Sequence, residues 1–326
     1  KYTYNQMILE GIPANNLKLI ETHKKININK ELSVFPVRVN HSVPDSVMYV
    51  INSADGAIVY TGDFIIDPTM MGPYNMDLGK IAYVGKQGVL ALLCESSFSE
   101  NIGHTSPNHH MSSFFKNIIN KASGRVIFSV LPVHLYTIEG IFNAAKNTHR
   151  KIVIMGKKLQ NIINMAIKDN YMDIDTNMIV DLSNINDSNA ILLVCDDRAN
   201  PYNSMEKIIA GNDKYIKLIS TDTVCFAEPK YDENEKIFVK IENELAMMDI
   251  NTINIPKVMG ISLHASSEDL MLMINLLKPK YFIPVKGEYR YMVGNADLAS
   301  NLGYQKENII LKQNGDVALF VNGELK

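Results

Sequence analysis

The sequence predicts an α/β protein in which one α/β unit is inserted into another. Three observations carry that expectation. Strand-like and helix-like segments alternate through the middle of the chain, the rhythm of a parallel sheet covered by helices. Hairpin signals and short apolar strands flank that middle on both sides. The chain has 326 residues, and at roughly 100–200 residues per domain that is enough for two domains.

The elements follow in order. Residues 31–39 read as a short apolar strand. Residues 46–52 and 57–61 form two strands of a hairpin around the turn pair Asp55-Gly56. Residues 89–93 are five apolar residues between turn signals, a buried strand that runs into Cys94-Glu95-Ser96-Ser97. The period then changes. Helices are expected over 112–122, 136–147, 158–169, 204–210 and 237–248, with strands over 125–131, 151–155 and 190–195 between them. An acidic loop, 231–235, precedes the last of these helices. After Pro256 the first style returns. A helix is expected over 266–277, with Ser266 or Ser267 as N-cap and Glu268 and Asp269 in its first turn. A strand over 281–285 and a helix over 288–302 follow. Residues 309–312 and 317–321 close the chain as a hairpin across Asn314-Gly315. No repeat or low-complexity tract interrupts this order.

Composition narrows the function classes. With 46% apolar and 21% charged residues the chain is not disordered. Thirty-two basic against 35 acidic residues, a net charge of -3, exclude a polybasic arm. A local cationic groove is not excluded, because binding depends on where charge sits. Three cysteines without paired spacing point to a reducing, cytoplasmic compartment. No apolar run reaches the roughly 18 residues of a membrane span, and nothing resembles a signal peptide. The chain begins at Lys1 rather than Met, so a longer parent protein is expected.

Two short motifs are candidates for chemistry. In Asn40-His41-Ser42-Val43-Pro44-Asp45 an imidazole stands at a strand end, a position suited to metal ligation or acid–base work. In Thr61-Gly62-Asp63-Phe64 the glycine allows close backbone approach, and Asp63 is placed off a strand end where a cation could be bridged. Taken singly, each also fits an ordinary turn, a loop-capping histidine and an Asx-turn. Adjacent His109 and His110 diverge at a helix start and read as solvent-facing.

In order along the chain these motifs resemble a known family. Residues 38–69, RVNHSVPDSVMYVINSADGAIVYTGDFIIDPT, resemble the metallo-β-lactamase core of ribonuclease J. So do CESS at 94–97, LHASSEDL at 263–270, KPKYFIPVKGEYR at 278–290 and NGDVALF at 314–320. The resemblance implies a metallo-β-lactamase αββα sandwich core, N-terminally truncated here, with an inserted α/β β-CASP domain. The expected division is 1–103 and 256–326 for the core and 104–255 for the insertion. It implies two zinc ions, RNA as substrate, and cleavage both endonucleolytic and processive from a 5′ end. By the same resemblance His41 and Asp63 are metal ligands, Asp63 bridging. Glu95 is the acidic residue of the first β-CASP motif and orients groups around the metals. His264 stands near the scissile phosphate with Ser266 beside it.

The departures matter as much. The family's His-x-His-x-Asp-His cluster is not among the eight histidines, and the resemblance places it upstream of Lys1. Lys286 stands where the family has a metal-binding histidine, and an ammonium is a donor without a lone pair that repels a divalent ion. It could instead serve as a cation beside RNA phosphate. Cys195-Asp196-Asp197-Arg198 replaces an RNA-contacting loop, its two carboxylates opposing phosphate and Arg198 offsetting one. Val133 and His134 replace a Ser-Asn pair on the substrate strand. Two readings result. One is a diverged, non-catalytic or weakly active RNA-binding subunit, a homo-oligomer or a hetero-oligomer with an active paralogue. The alternative is an active zinc-dependent endo- and 5′–3′ exoribonuclease. A third, a small-ester or lactam hydrolase, is disfavoured by an insertion of this length.

Overall fold

The computed structural model describes residues 1–105, 111–196, 202–227, 234–255 and 262–326. Two six-stranded sheets organise them. The first contains β1 (Ile26–Asn27), β2 (Ser33–Arg38), β3 (Val47–Ser53), β4 (Gly56–Tyr60), β5 (Ala91–Glu95) and β12 (Tyr281–Val285), in the spatial order β1-β2-β3-β4-β5-β12. β1 to β4 pair antiparallel with one another, whereas the β4–β5 and β5–β12 pairings are parallel. β3 alternates in burial, Met48 and Val50 pointing into a core they share with Val37, Val59, Leu92 and Phe282. Helices α2 (Leu78–Gln87), α8 (Ser267–Leu277) and α9 (Tyr289–Asn301) cover that face with Ile81, Val84, Leu270, Met273, Ile274 and Ala299. Gly85 is required where α2 meets α8, since a Cβ there would lie 2.0 Å from the Leu276 carbonyl oxygen.

The second sheet is parallel throughout: β6 (Val126–Val130), β7 (Lys151–Ile154), β8 (Ile179–Val180), β9 (Ala190–Cys195), β10 (Thr223–Phe226) and β11 (Asn251–Asn254), in the order β11-β10-β6-β9-β7-β8. Strands buried on both faces read as unbroken apolar runs, as in β9, AILLVC. On one face α3 (Ser112–Lys121), α4 (Leu135–Ala145) and α5 (Lys157–Lys168) bury Phe115, Ile138 and Ile163 against Val126, Phe128 and Val130. On the other, α6 (Asn203–Ile209) and α7 (Glu235–Met247) bury Met205, Ile208, Phe238 and Ile241 against Ile127, Leu192 and Phe226. The unit is thus enclosed between β5 and β12, adjacent parallel strands of the first sheet.

The opening helix α1 (Tyr2–Leu9) crosses between the two units. Tyr2 is fully buried in the core beneath α3–α5. Its backbone N–H donates to the Tyr171 hydroxyl at 3.0 Å, and that hydroxyl donates to Asp45 of the first unit.

Two differences from the sequence expectation are informative. The hairpin expected across Asn314-Gly315 does not form. Ile309 instead makes a parallel bridge to Phe282, and the terminal ribbon is β13 (Phe320–Val321) with β14 (Glu324–Leu325). Its turn is the second Asn-Gly pair, Asn322 at φ +53° and Gly323 at φ +74°. Two successive positive φ values are what a tight hairpin turn demands. Helix α2 was not expected, because its two glycines weaken the local helical signal.

Candidate active site

The loop after β4 is stitched to the end of β5. Thr61 donates its N–H to Leu93 O at 3.0 Å, and its hydroxyl accepts from the Glu95 N–H at 3.2 Å. Gly62 then turns at φ +62°, and Asp63 follows, half-buried. Phe64 is buried beneath it and donates its N–H to Glu95 Oε1 at 2.7 Å. The same loop is tied to the His41 loop through Asn40. The Asn40 carbonyl accepts from Ile65 N–H, and its side-chain oxygen accepts from Asp67 N–H, both at 3.0 Å. A buried asparagine therefore fixes the spacing between the two motifs that sequence reading singled out.

Glu95, 1% exposed, meets His264 from across the fold: His264 Nδ1 lies 2.6 Å from Glu95 Oε2. His264 is buried, its ring edge-on to Phe98 at 5.1 Å between centroids. Burial pushes the Glu95 carboxyl up, while the contacts with His264 and Phe64 N–H pull against that shift. Asn295 of α9 donates to the Glu95 carbonyl at 2.8 Å and to Ser96 Oγ at 3.1 Å, holding the strand end in place.

Asp63, Glu95 and His264 bring ligand atoms within 4.8 Å of one another, the one such group of three or more among the described residues. Lys286 closes the arrangement. It follows β12 in a left-handed conformation, φ +63°, and its ammonium pairs with Asp63.

Beside this group a cavity of about 310 Å³ separates the two units. Asp63, His264 and His41 line it from the first unit, His134 and Lys158 from the second, Gln6 and Glu10 from α1. The second unit contributes the loop after β6, at the carboxyl ends of parallel strands, where ligands bind in open α/β sheets.

The remaining expected residues fall as follows. His41 lines the cavity but is not in the group with Asp63, Glu95 and His264. His134 is buried at the N-cap of α4 and lines the same cavity. Ser266 is buried at the N-cap position of α8. Its neighbour Ser267 accepts the Gly103 N–H at 3.2 Å. Asp196 is directed into its own chain: its carboxylate accepts from the Ser204 N–H at 2.8 Å and the Ser204 hydroxyl at 2.8 Å. That carboxylate is engaged at the start of α6, which softens the opposition to phosphate expected of it. Arg198, Asp197, His109 and His110 lie outside the described residues. Sequence reading missed Asn40, Thr61, Phe98 and Asn295. Asn40 and Thr61 each open one of the two motifs singled out, a visible signal for both; nothing local marked Phe98 or Asn295.

These residues do not fit a two-zinc centre. Both Glu95 oxygens are engaged by Phe64 N–H and His264, and Asp63 holds an ammonium. A zinc ion needs lone-pair donors, and a neighbouring ammonium opposes its charge.

Comparison with known proteins gives a consistent picture. Residues 123–245 match the family described as "Ribonuclease J, beta-CASP domain". Residues 250–311 match "Zn-dependent metallo-hydrolase RNA specificity domain". Ribonuclease J 2 of Streptococcus pyogenes is 32% identical over 307 residues, which are 93% of this chain and 55% of that protein. Ribonuclease J2 of Bacillus subtilis is 32% identical over 312 residues, 94% of this chain and 56% of that protein. The chain thus spans somewhat over half the length of these relatives. A crystal structure of a protein of unknown function from Enterococcus faecalis covers 92% of this chain and is itself covered to 66%, with a TM-score of 0.57 and 15% identity. That likeness concerns the fold alone.

Proposed function

The chain belongs to the ribonuclease J family, a metallo-β-lactamase fold with an inserted β-CASP domain, and from that premise we propose that it serves RNA processing and degradation as a diverged member with a degraded metal site. It binds RNA in the cavity between the units and cleaves it weakly or not at all. The observation that carries this reading is the Lys286 ammonium on Asp63. Asp63 is the carboxylate best placed to hold a cation beside the cavity, and the chain supplies that cation covalently.

On this reading the core comprises 1–103 and 256–326 around an insertion at 104–255. His134 and Lys158 face the RNA from the insertion, and Arg198 and Ser266 join them at its backbone. Glu95 is a positioning residue for His264, which lines the cavity and can donate a hydrogen bond to a phosphate. The protein works in the cytoplasm, as a homo-oligomer or beside an active paralogue. Its unbridged thiols support a reducing compartment. Among the described residues no helix is long and apolar enough to cross a membrane.

A second reading, an active zinc-dependent endo- and 5′–3′ exoribonuclease, draws on the convergence of Asp63, Glu95 and His264. It requires Lys286 to leave Asp63. The test is metal content together with cleavage of 5′-monophosphorylated single-stranded RNA in Zn²⁺ or Mn²⁺ by the full-length protein. Less than about one zinc per chain without turnover is expected, since two-metal hydrolysis needs both ions. Two bound zincs with multiple turnover would overturn the first reading.

A further inference from the structure

We propose that the Lys286 ammonium is a built-in substitute for a metal ion at this site, and that it contacts the RNA backbone directly, so that RNA binding needs no divalent cation. The inference rests on the reading that the cavity receives RNA.

The loop after β12 is built for this placement. Lys286 and Gly287 are successive left-handed residues, at φ +63° and +85°. A left-handed conformation is uncommon for lysine and persists only where the surroundings hold it. They do so through Gly287, which lies against Ser97: a Cβ at that position would come within 3.2 Å of the Ser97 Cα. Ser97 follows Glu95 and Ser96 directly, so the loop is pinned beside the Asp63–Glu95–His264 group. The turn returns the lysine side chain to Asp63.

The ammonium keeps capacity for a ligand. It offers three N–H donors, and Asp63 is one partner. The Lys286 side chain is 38% exposed and that of Asp63 24%. Asp63 itself lines the cavity, with Lys158, His134 and His264 around it. Lys286 is not itself a lining residue, but a phosphodiester that reaches Asp63 meets the ammonium paired with it, at the place where a metallo-hydrolase would present a metal. A lysine can bind phosphate as a point charge. It cannot lower the pKa of a bound water as zinc does, so binding becomes separable from cleavage.

The test is fluorescence anisotropy of the full-length protein with a labelled, 5′-monophosphorylated single-stranded oligoribonucleotide, in EDTA and in Zn²⁺, across a salt series. The wild-type Kd is expected to agree within about twofold between the two conditions. Lys286→Asn tolerates the left-handed backbone but removes the charge. It is expected to weaken binding about tenfold, the scale of one lost charged hydrogen bond. It should also reduce the slope of log K against log salt by about 0.7, one phosphate contact to a single strand. Lys286→Arg should restore both. Asp63→Asn removes the competing carboxylate and should tighten binding, whereas a merely structural ion pair would give no gain. Loss of wild-type binding in EDTA, or an unchanged Kd and salt slope in K286N, would overturn the proposal. Zinc-dependent turnover of the RNA would instead overturn the parent reading, whatever the binding result. No RNA binding under any condition would sink both.

Discussion

Arg125 and Asp222 form a buried ion pair inside the inserted unit, and removing one partner should be costly. Arg125 is 3% exposed and Asp222 fully buried. The guanidinium is bidentate to the carboxylate, Nε to Oδ1 at 2.9 Å and Nη2 to Oδ2 at 2.6 Å. Nη2 also donates to Lys217 O at 2.7 Å, and Nη1 to Ile185 O at 3.1 Å. The two residues stand directly before β6 and β10, whose register begins at Thr223 opposite Val126. Arg125→Met would leave the Asp222 carboxyl buried and, among the described residues, without a side-chain partner, the Ile219 N–H remaining at 2.9 Å. Breaking a buried pair from one side costs about 3–5 kcal/mol. Asp222→Leu should cost a similar amount, and the double variant clearly less than the two together, with a coupling of about 2–3 kcal/mol. Because the chain has two units, one global unfolding energy is ill-defined. Native-state hydrogen exchange of the β6 and β10 amides reads the local value instead. If Arg125→Met lowered protection by less than about 1 kcal/mol, or if the single effects simply added, the ion pair would not be what fixes this register.

Three further outcomes are expected. Burial raises the Glu95 carboxyl above its ordinary 4.5, so the folded protein holds that proton more tightly than the unfolded chain. Its contribution is complete below the unfolded value and is lost as pH rises through the raised one. The stability of Glu95→Gln relative to wild type should therefore climb as pH rises above the ordinary 4.5, and a flat difference in urea midpoints would contradict the shift. Gly85→Ala must drive α2 and α8 apart, because the new methyl meets a backbone carbonyl at 2.0 Å. A loss of about 2–3 kcal/mol is expected, and an unchanged melting temperature would show that the helices yield freely. Lys286→His should increase the zinc retained after dialysis, measured by elemental analysis. An unchanged content would mean that the ammonium is not what keeps metal from Asp63.

The alternation of strands and helices in the middle of the chain was legible because β6, β7 and β9 are apolar runs and α3 to α5 carry one apolar stripe each. β10 and β11 were not. TVCF is four residues long, and NTIN is polar, so neither shows a period; each is a strand because a neighbour in the parallel sheet offers it hydrogen bonds. The choice between two Asn-Gly pairs was likewise tertiary. Val317, which the expected hairpin would have paired, is 77% exposed, whereas Phe320 packs on Tyr281 with ring centroids 5.3 Å apart. At the site, Asp63 and His264 stood out by resemblance, but the contact between Lys286 and Asp63 was not visible in any spacing. It depends on β4, β5 and β12 lying side by side. Asn295 was equally hidden, a helix residue with no motif around it.

That side-by-side arrangement has a consequence for the order in which the protein matures during synthesis. His264 reaches a partner 169 residues earlier in the chain, and Asn295 one 200 residues earlier. The second sheet draws all its strands from between those partners and can close while the ribosome is still translating the rest. β5 must meanwhile wait with one edge unpaired until β12 emerges. Asp63 and Glu95 are therefore made long before the lysine that neutralises one of them and the histidine that engages the other. The RNA-facing site is the last part of the molecule to exist, and a chain interrupted before residue 262 would carry a finished insertion beside an unfinished site.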